Sequence, residues 1–108
     1  IQGQRGDLRG FTWWGHGAIF VGYIGPNSSS PDVLYDAVYC DPAPPNPPCI
    51  APGTPANPVM MGARSRHTGG VNVAMCDGSC KFVTNGVLLA TWRALSTAAA
   101  GDIPGSDW

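Results

Sequence analysis

No glutamate occurs in this sequence, and charge of either sign is scarce: seven aspartates face six lysines and arginines, for a formal net charge of −1. Charged residues make up 12% of the chain, about half the ~25% of an average soluble domain. That scarcity excludes function classes. A surface for nucleic acid or an anionic membrane needs clustered basic side chains to neutralise phosphates. Here the basic residues are scattered, and Arg64 and Arg66 stand nearest each other. No apolar run reaches the ~18 residues of a membrane-spanning helix. No Gly-x-Ser-x-Gly elbow, no Cys-x-x-Cys pair and no internal repeat is present. No signal peptide is visible, and the chain opens on Ile1 without a methionine, which reads as the mature or ordered part of a longer product.

What is abundant is backbone punctuation. The 15 glycines and 11 prolines among 108 residues argue for short strands and long shaped loops. The 44% hydrophobic content with four tryptophans argues for a packed core rather than disorder. A chain of this length suffices for one small domain, residues 1–108, that buries roughly two-thirds of its unfolded surface. The reading is a β-rich α+β fold: a small antiparallel sheet, one short C-terminal helix, long Pro/Gly-rich loops and two disulfides.

Residues 1–10 are polar and Gly-rich, an extended arm. Two strands are expected at Phe11–Trp14 and Ala18–Tyr23, around a Gly-His-Gly turn. Gly25–Asp32 is a surface loop, and Val33–Cys40 has strand or turn character. Residues 41–58 hold eight of the prolines; without donors they cannot join a central strand, and they should lie over the surface in polyproline II geometry. The strongest local signal follows. Val71, Val73 and Met75 alternate with polar or small residues, Asp77-Gly78 marks a hairpin turn, and Lys81–Thr84 returns. Leu88, Leu89, Trp92 and Leu95 then recur at helical spacing, giving a helix of about ten residues with Asn85 as N-cap. Residues 98–108 read as a second arm.

The candidate chemistry is mostly architectural. Cys40, Cys49, Cys76 and Cys80 are an even set in a short chain, which indicates two disulfides and an oxidising compartment. Cys40–Cys49 would pin the Pro-rich loop, and Cys76 with Cys80 would close the hairpin turn. The connectivity Cys40–Cys80 with Cys49–Cys76 stays open, and a four-thiol zinc site is disfavoured by the spacings. His16 and His67 are the only histidines; a catalytic role would need a nucleophile and an acid beside one of them, and a hydrogen bond from His67 to a neighbouring loop is the preferred reading. Asp32, Asp36 and Asp41 could contribute to a calcium site but match no EF-hand spacing, so they are read as turn formers and no cofactor is expected. Asn27-Ser28-Ser29 fits the N-glycosylation pattern, and Ser28, Ser29 and Ser30 could carry O-linked sugar. Trp13 and Trp14 are adjacent and would point to opposite faces of a strand. With Tyr23 and Trp108 they are the candidate subunit-interface or glycan contacts.

The run Arg64-Ser-Arg-His-Thr-Gly-Gly-Val-Asn-Val-Ala-Met-Cys-Asp-Gly-Ser-Cys-Lys-Phe-Val83 sets nine residues between His67 and Asp77-Gly78. It resembles the prepilin-like family of unknown function abundant in planctomycete bacteria, marked by a His-(nine residues)-Asp-Gly segment. Asp7–Trp14, Pro26–Val33, Asn46–Cys49 and Ala90–Leu95 fit the same family. The resemblance implies a β-rich region that follows a pilin-type cleavage site and a long hydrophobic helix, with this chain as the C-terminal third. It implies export, an extracellular or cell-surface location, and kinship with filament subunits. It carries over no catalytic residues. In this reading His67, Gly69, Gly70, Asp77 and Gly78 have structural roles: the glycines allow close backbone approach and the Asp-Gly pair turns the hairpin.

The expectation is therefore a non-enzymatic, pilin-like protomer of an extracellular bacterial filament, with copies of itself as partner, joined head to tail into a helical homopolymer. Its alternatives are a cell-surface glycan-binding module and a minor pseudopilin of a secretion machine. No nucleic-acid partner and no transmembrane segment are expected.

Overall fold

A computed structural model describes residues 6–11, 13, 15, 17–98 and 101–108. Trp14 and His16 lie outside the described residues, as do the first five positions. The chain forms two compact units, one of residues 1–21 and 29–61, the other of residues 22–28 and 62–108. Together they hold two small sheets and one short helix, a small α+β fold.

In the first unit, strand β1 (Asp32–Val33) pairs in parallel with β2 (Cys49–Ile50). Val33 also forms an antiparallel bridge with Met60, its N–H and carbonyl both engaged at 2.7 and 2.9 Å. These strands are short because proline surrounds them: Cys49-Ile50 is a donor-bearing dipeptide between Pro48 and the following Ala51-Pro52. A 3-10 helix at Ala37–Tyr39 begins where Asp36 accepts the Val38 N–H. Leu34, Cys49 and Met61 form the buried centre, with Cys40 and Ala51 packed against it. Cys40 and Cys49 are joined as a disulfide with Cα atoms 5.9 Å apart. Closing so short a loop in the unfolded chain is worth about 2–3 kcal/mol.

Three expectations for this unit are corrected. Residues 18–21 are not a strand, nor are Phe11 and Trp13. The glycines at 15, 17 and 22 break the run, and Val21 N–H bonds the Met61 carbonyl at 2.8 Å rather than a strand partner. The Pro-rich loop is not a uniform polyproline rod. It turns at Ala43–Asn46, carries β2, and turns again at Thr54–Asn57. Asp7 and Arg9, in the expected N-terminal arm, are buried at 4% and 5% exposure.

In the second unit, β3 (Gly70–Ala74) and β4 (Cys80–Thr84) form the expected antiparallel hairpin, with Val71 opposite Val83. Alternation sends Val71 and Val83 inward, while Asn72, Ala74, Cys80, Phe82 and Thr84 make an exposed outer face. Helix α1 (Leu89–Leu95) is shorter than expected and buries Trp92 and Thr91. Val71, Val83, Val87 and Trp92 are the core, with Ala63, Val73 and Trp108 against them. Asn85 is not the helix cap. It belongs to the turn in which Val87 N–H bonds the Thr84 carbonyl. The capping oxygen comes from the C-terminal segment: Asp107 accepts from the Leu88 N–H at 2.6 Å and from Thr91 Oγ1 at 2.7 Å. Asp107 and Trp108 are thus tied within the unit.

The second expected disulfide is absent. Cys76 and Cys80 are free and exposed. The register explains it: Cys80 stands opposite Ala74, Met75 N–H bonds the Ser79 carbonyl, and Cys76 falls inside the turn. The cysteines therefore do not face each other.

Candidate functional site

The His67-to-Gly78 segment builds the hairpin of the second unit and its entry. Gly69 (φ 85°) reverses the chain into β3, and Gly78 (φ 85°) closes the turn with its N–H on the Met75 carbonyl. Both sit in the left-handed region that favours glycine. Asp77 accepts the Ser79 N–H at 2.8 Å, and the Ser79 hydroxyl, then this N–H, hold its carboxyl below the usual carboxylate range. Gly70 is required for another reason. A Cβ there would lie 2.2 Å from the Val83 carbonyl oxygen and under 3 Å from the Phe82 ring, which covers the glycine. His67 itself is exposed, and its backbone N–H donates to Ser65 Oγ at 3.0 Å.

Asn27 holds this region together, a role the glycosylation motif did not suggest. Its backbone adopts φ 50°, which Asn tolerates better than most residues. Its Nδ2 donates to the Gly70 carbonyl at 3.3 Å and to Asn85 Oδ1 at 3.0 Å, while its Oδ1 accepts the Ser65 N–H at 2.7 Å. The adjacent Ser28 carbonyl accepts from Arg64 Nη1. An N-linked sugar would replace one of the two Nδ2 hydrogens, so it could not keep both donor bonds. Ser29 and Ser30 are exposed.

The aromatic candidates divide. Trp13 in the first unit is 89% exposed, whereas Trp108 is half-buried against the second unit's core with Lys81 Nζ 3.8 Å above its ring. Tyr23 is 63% exposed, and the Arg93 guanidinium sits 4.5 Å over its ring while donating to the Tyr23 carbonyl. Helix α1, Trp108 and Pro104 line an open cavity of about 560 Å³.

The profile of the family SBP_bac_10, described as a protein of unknown function (DUF1559), matches residues 10–87. The chain belongs to the DUF1559 family. No curated protein and no solved structure matches it. The DUF1559 span takes in the disulfide, Asn27 and the whole His67-to-Gly78 hairpin, while α1 and the residues of its cap lie beyond it.

The aspartates weighed for calcium in this DUF1559 chain each have a partner within the protein. Asp36 caps the 3-10 helix, Asp41 accepts the Ala43 N–H at 2.9 Å, and Asp32 is ion-paired. Among the described residues no group of three or more His, Cys or acidic side chains could hold a metal ion.

The feature that sequence reading missed is the partner of Asp32. Arg9 lies between two carboxylates in the first unit: Nη2 to Asp7 Oδ2 at 2.5 Å and Nη1 to Asp32 Oδ2 at 2.8 Å. Nε also donates to Asp7, at 3.0 and 3.1 Å to its two oxygens, and Nη2 and Nη1 reach the Pro47 and Pro48 carbonyls at 2.6 and 3.0 Å. Desolvation is the largest influence on the guanidinium and pulls its pKa down, but the bonds and charges of Asp7 and Asp32 outweigh it and the net direction is upward. Arg9 supplies the donors that the proline loop lacks. The signal available in sequence is Asp7-Leu-Arg9, an acid and base two apart, which local reasoning leaves as a solvated pair.

Proposed function

We propose that this chain is a structural, pilin-like subunit of an extracellular bacterial filament, assembling with copies of itself. The observation that carries the reading is the amount of large apolar surface left uncovered. Trp13, Val38, Leu88, Tyr23 and Ile103 are 89%, 67%, 65%, 63% and 92% exposed in a chain with 12% charged residues. Exposed aromatic and aliphatic groups with few charges around them are what protein–protein contacts bury. The Cys40–Cys49 disulfide supports an oxidising, exported location. The His67-(nine residues)-Asp77-Gly78 pattern, resembling planctomycete prepilin-like proteins, supports kinship with filament subunits. The hydrogen-bonded frameworks around Arg9 and Asn27 suit a rigid building block. Electron microscopy of native material checks this: filaments are expected, and uniformly single particles at high concentration would remove the reading.

Trp13, at 89% exposure, favours a second reading, a cell-surface glycan-binding module in which its ring stacks on a sugar. Glycan-array binding that disappears in Trp13→Ala, with the fold intact and no self-association in the parent chain, would support it over the first.

A further inference from the structure

From the two free thiols of the hairpin, we infer that Cys76 and Cys80 are a covalent linkage site between copies of this chain, forming interprotomer disulfides. The inference deepens the self-assembly reading and rests on it. Both cysteines are unpaired and exposed, whereas Cys40 and Cys49 are joined. The two thiols are on one hairpin but are not paired across it. Cys80 faces the small side chain of Ala74, and Cys76 occupies the turn, held by the Met75–Ser79 and Gly78–Met75 backbone bonds. The register does not set them opposite each other, the arrangement that brings Cα atoms of a hairpin within disulfide range. A thiol on a second copy needs no such change. Around Cys80, the outer face presents Asn72, Ala74, Phe82 and Thr84, none of them charged and all exposed, with Phe82 at 47%. This is an uncovered sheet face that a neighbour can approach closely without burying a charge. The matching partner is a second copy because every copy brings the same two thiols, and two per copy permit either a closed pair or an extended chain.

The chemistry balances with a small-molecule disulfide as oxidant. A thiolate of one copy attacks it, forms a mixed disulfide and releases one small thiol. A thiolate of a second copy then attacks the protein sulfur and releases the other. Two protein thiols become one disulfide, and one small disulfide becomes two thiols.

The test is to treat the purified full chain with glutathione disulfide and examine it by non-reducing electrophoresis and intact mass, beside Cys76→Ser, Cys80→Ser and the double variant. Because both positions are exposed, the variants should keep the parent circular dichroism. Dimers or a ladder that reductant dissolves, falling about tenfold or more in the double variant, are expected. A monomer that loses two hydrogens through a Cys76–Cys80 bridge overturns the inference, as does a monomer left with free or glutathione-capped thiols. Filaments formed in reductant that never cross-link overturn the linkage and leave the assembly reading standing. Cross-linked species without any filament uphold the linkage and remove the assembly reading.

Discussion

Arg9 is the residue on which the first unit most depends. It bonds Asp7 and Asp32 and caps two proline carbonyls with a side chain only 6% exposed. Removing the cation leaves two buried carboxylates without their partner. Arg9→Met should therefore destabilise the unit by about 3–5 kcal/mol, read as a lower denaturant midpoint, and should shift the amide signals of Asp32 and Cys49. Gly70 gives a steric counterpart. A methyl group there meets the Val83 carbonyl oxygen and the Phe82 ring, so Gly70→Ala should cost about 1–3 kcal/mol. Gly86 offers the control, since the nearest atom to a Cβ there is 3.9 Å away; a large loss on Gly86→Ala with none on Gly70→Ala would contradict the packing described. Of these residue-level features, the glycines of the turn were legible from Asp77-Gly78. The Arg9 cluster was not, because Arg9 is joined to Asp32, Pro47 and Pro48 by contacts that span 23 to 39 positions.

At the scale of elements, α1 shows how a helix takes its cap from elsewhere. Its N-cap, Leu88, has no side-chain oxygen, and Asp107 supplies one. The Leu88 N–H, then the Thr91 hydroxyl, hold the Asp107 carboxyl below its ordinary value of 3.8. With the folded-state pKa depressed, the stabilising effect of this cap is complete above the unfolded value and is lost as pH falls through the folded one. Acid titration of the intact chain should move the Leu88 and Thr91 amide resonances together at a pH below 3.8. Asp107→Asn should abolish that transition, since an amide does not titrate there. The Cys40–Cys49 bridge is the second long-reaching constraint. Its reduction should lower stability by about 2–3 kcal/mol, measured by denaturant unfolding with and without reductant. The hairpin was predictable because valine alternation and Asp-Gly act within a few residues. The expected strand at 18–23 failed for the converse reason: apolar content without a pairing partner does not make a strand, and that backbone bonds a loop instead.

Each of the two units has its own small, well-bonded core and leaves large apolar side chains exposed. Among the described residues few apolar side chains are buried and fourteen large hydrophobic ones are exposed, the observation on which the proposed self-assembly rests. Trp13→Ala should leave thermal stability almost unchanged, because the ring is 89% exposed, yet raise the concentration needed for assembly by about tenfold if the ring is an interface anchor. Sedimentation velocity across a concentration series distinguishes that result from a surface residue of no consequence.

By itself the sequence determined a small α+β class, the hairpin and its turn, and a short helix through Trp92, and it offered Cys40–Cys49 as one of two pairings, because short-range periodicity, turn chemistry and cysteine spacing act locally. Only the tertiary structure decided that Cys76 and Cys80 stay apart, that Asn27 ties a loop to both hairpin ends, that Arg9 is buried between two aspartates, and that Asp107 caps the helix. Each of these depends on which distant backbone or side-chain groups folding brings within hydrogen-bonding distance, and in a loop-rich chain those partners leave no periodic trace along the sequence.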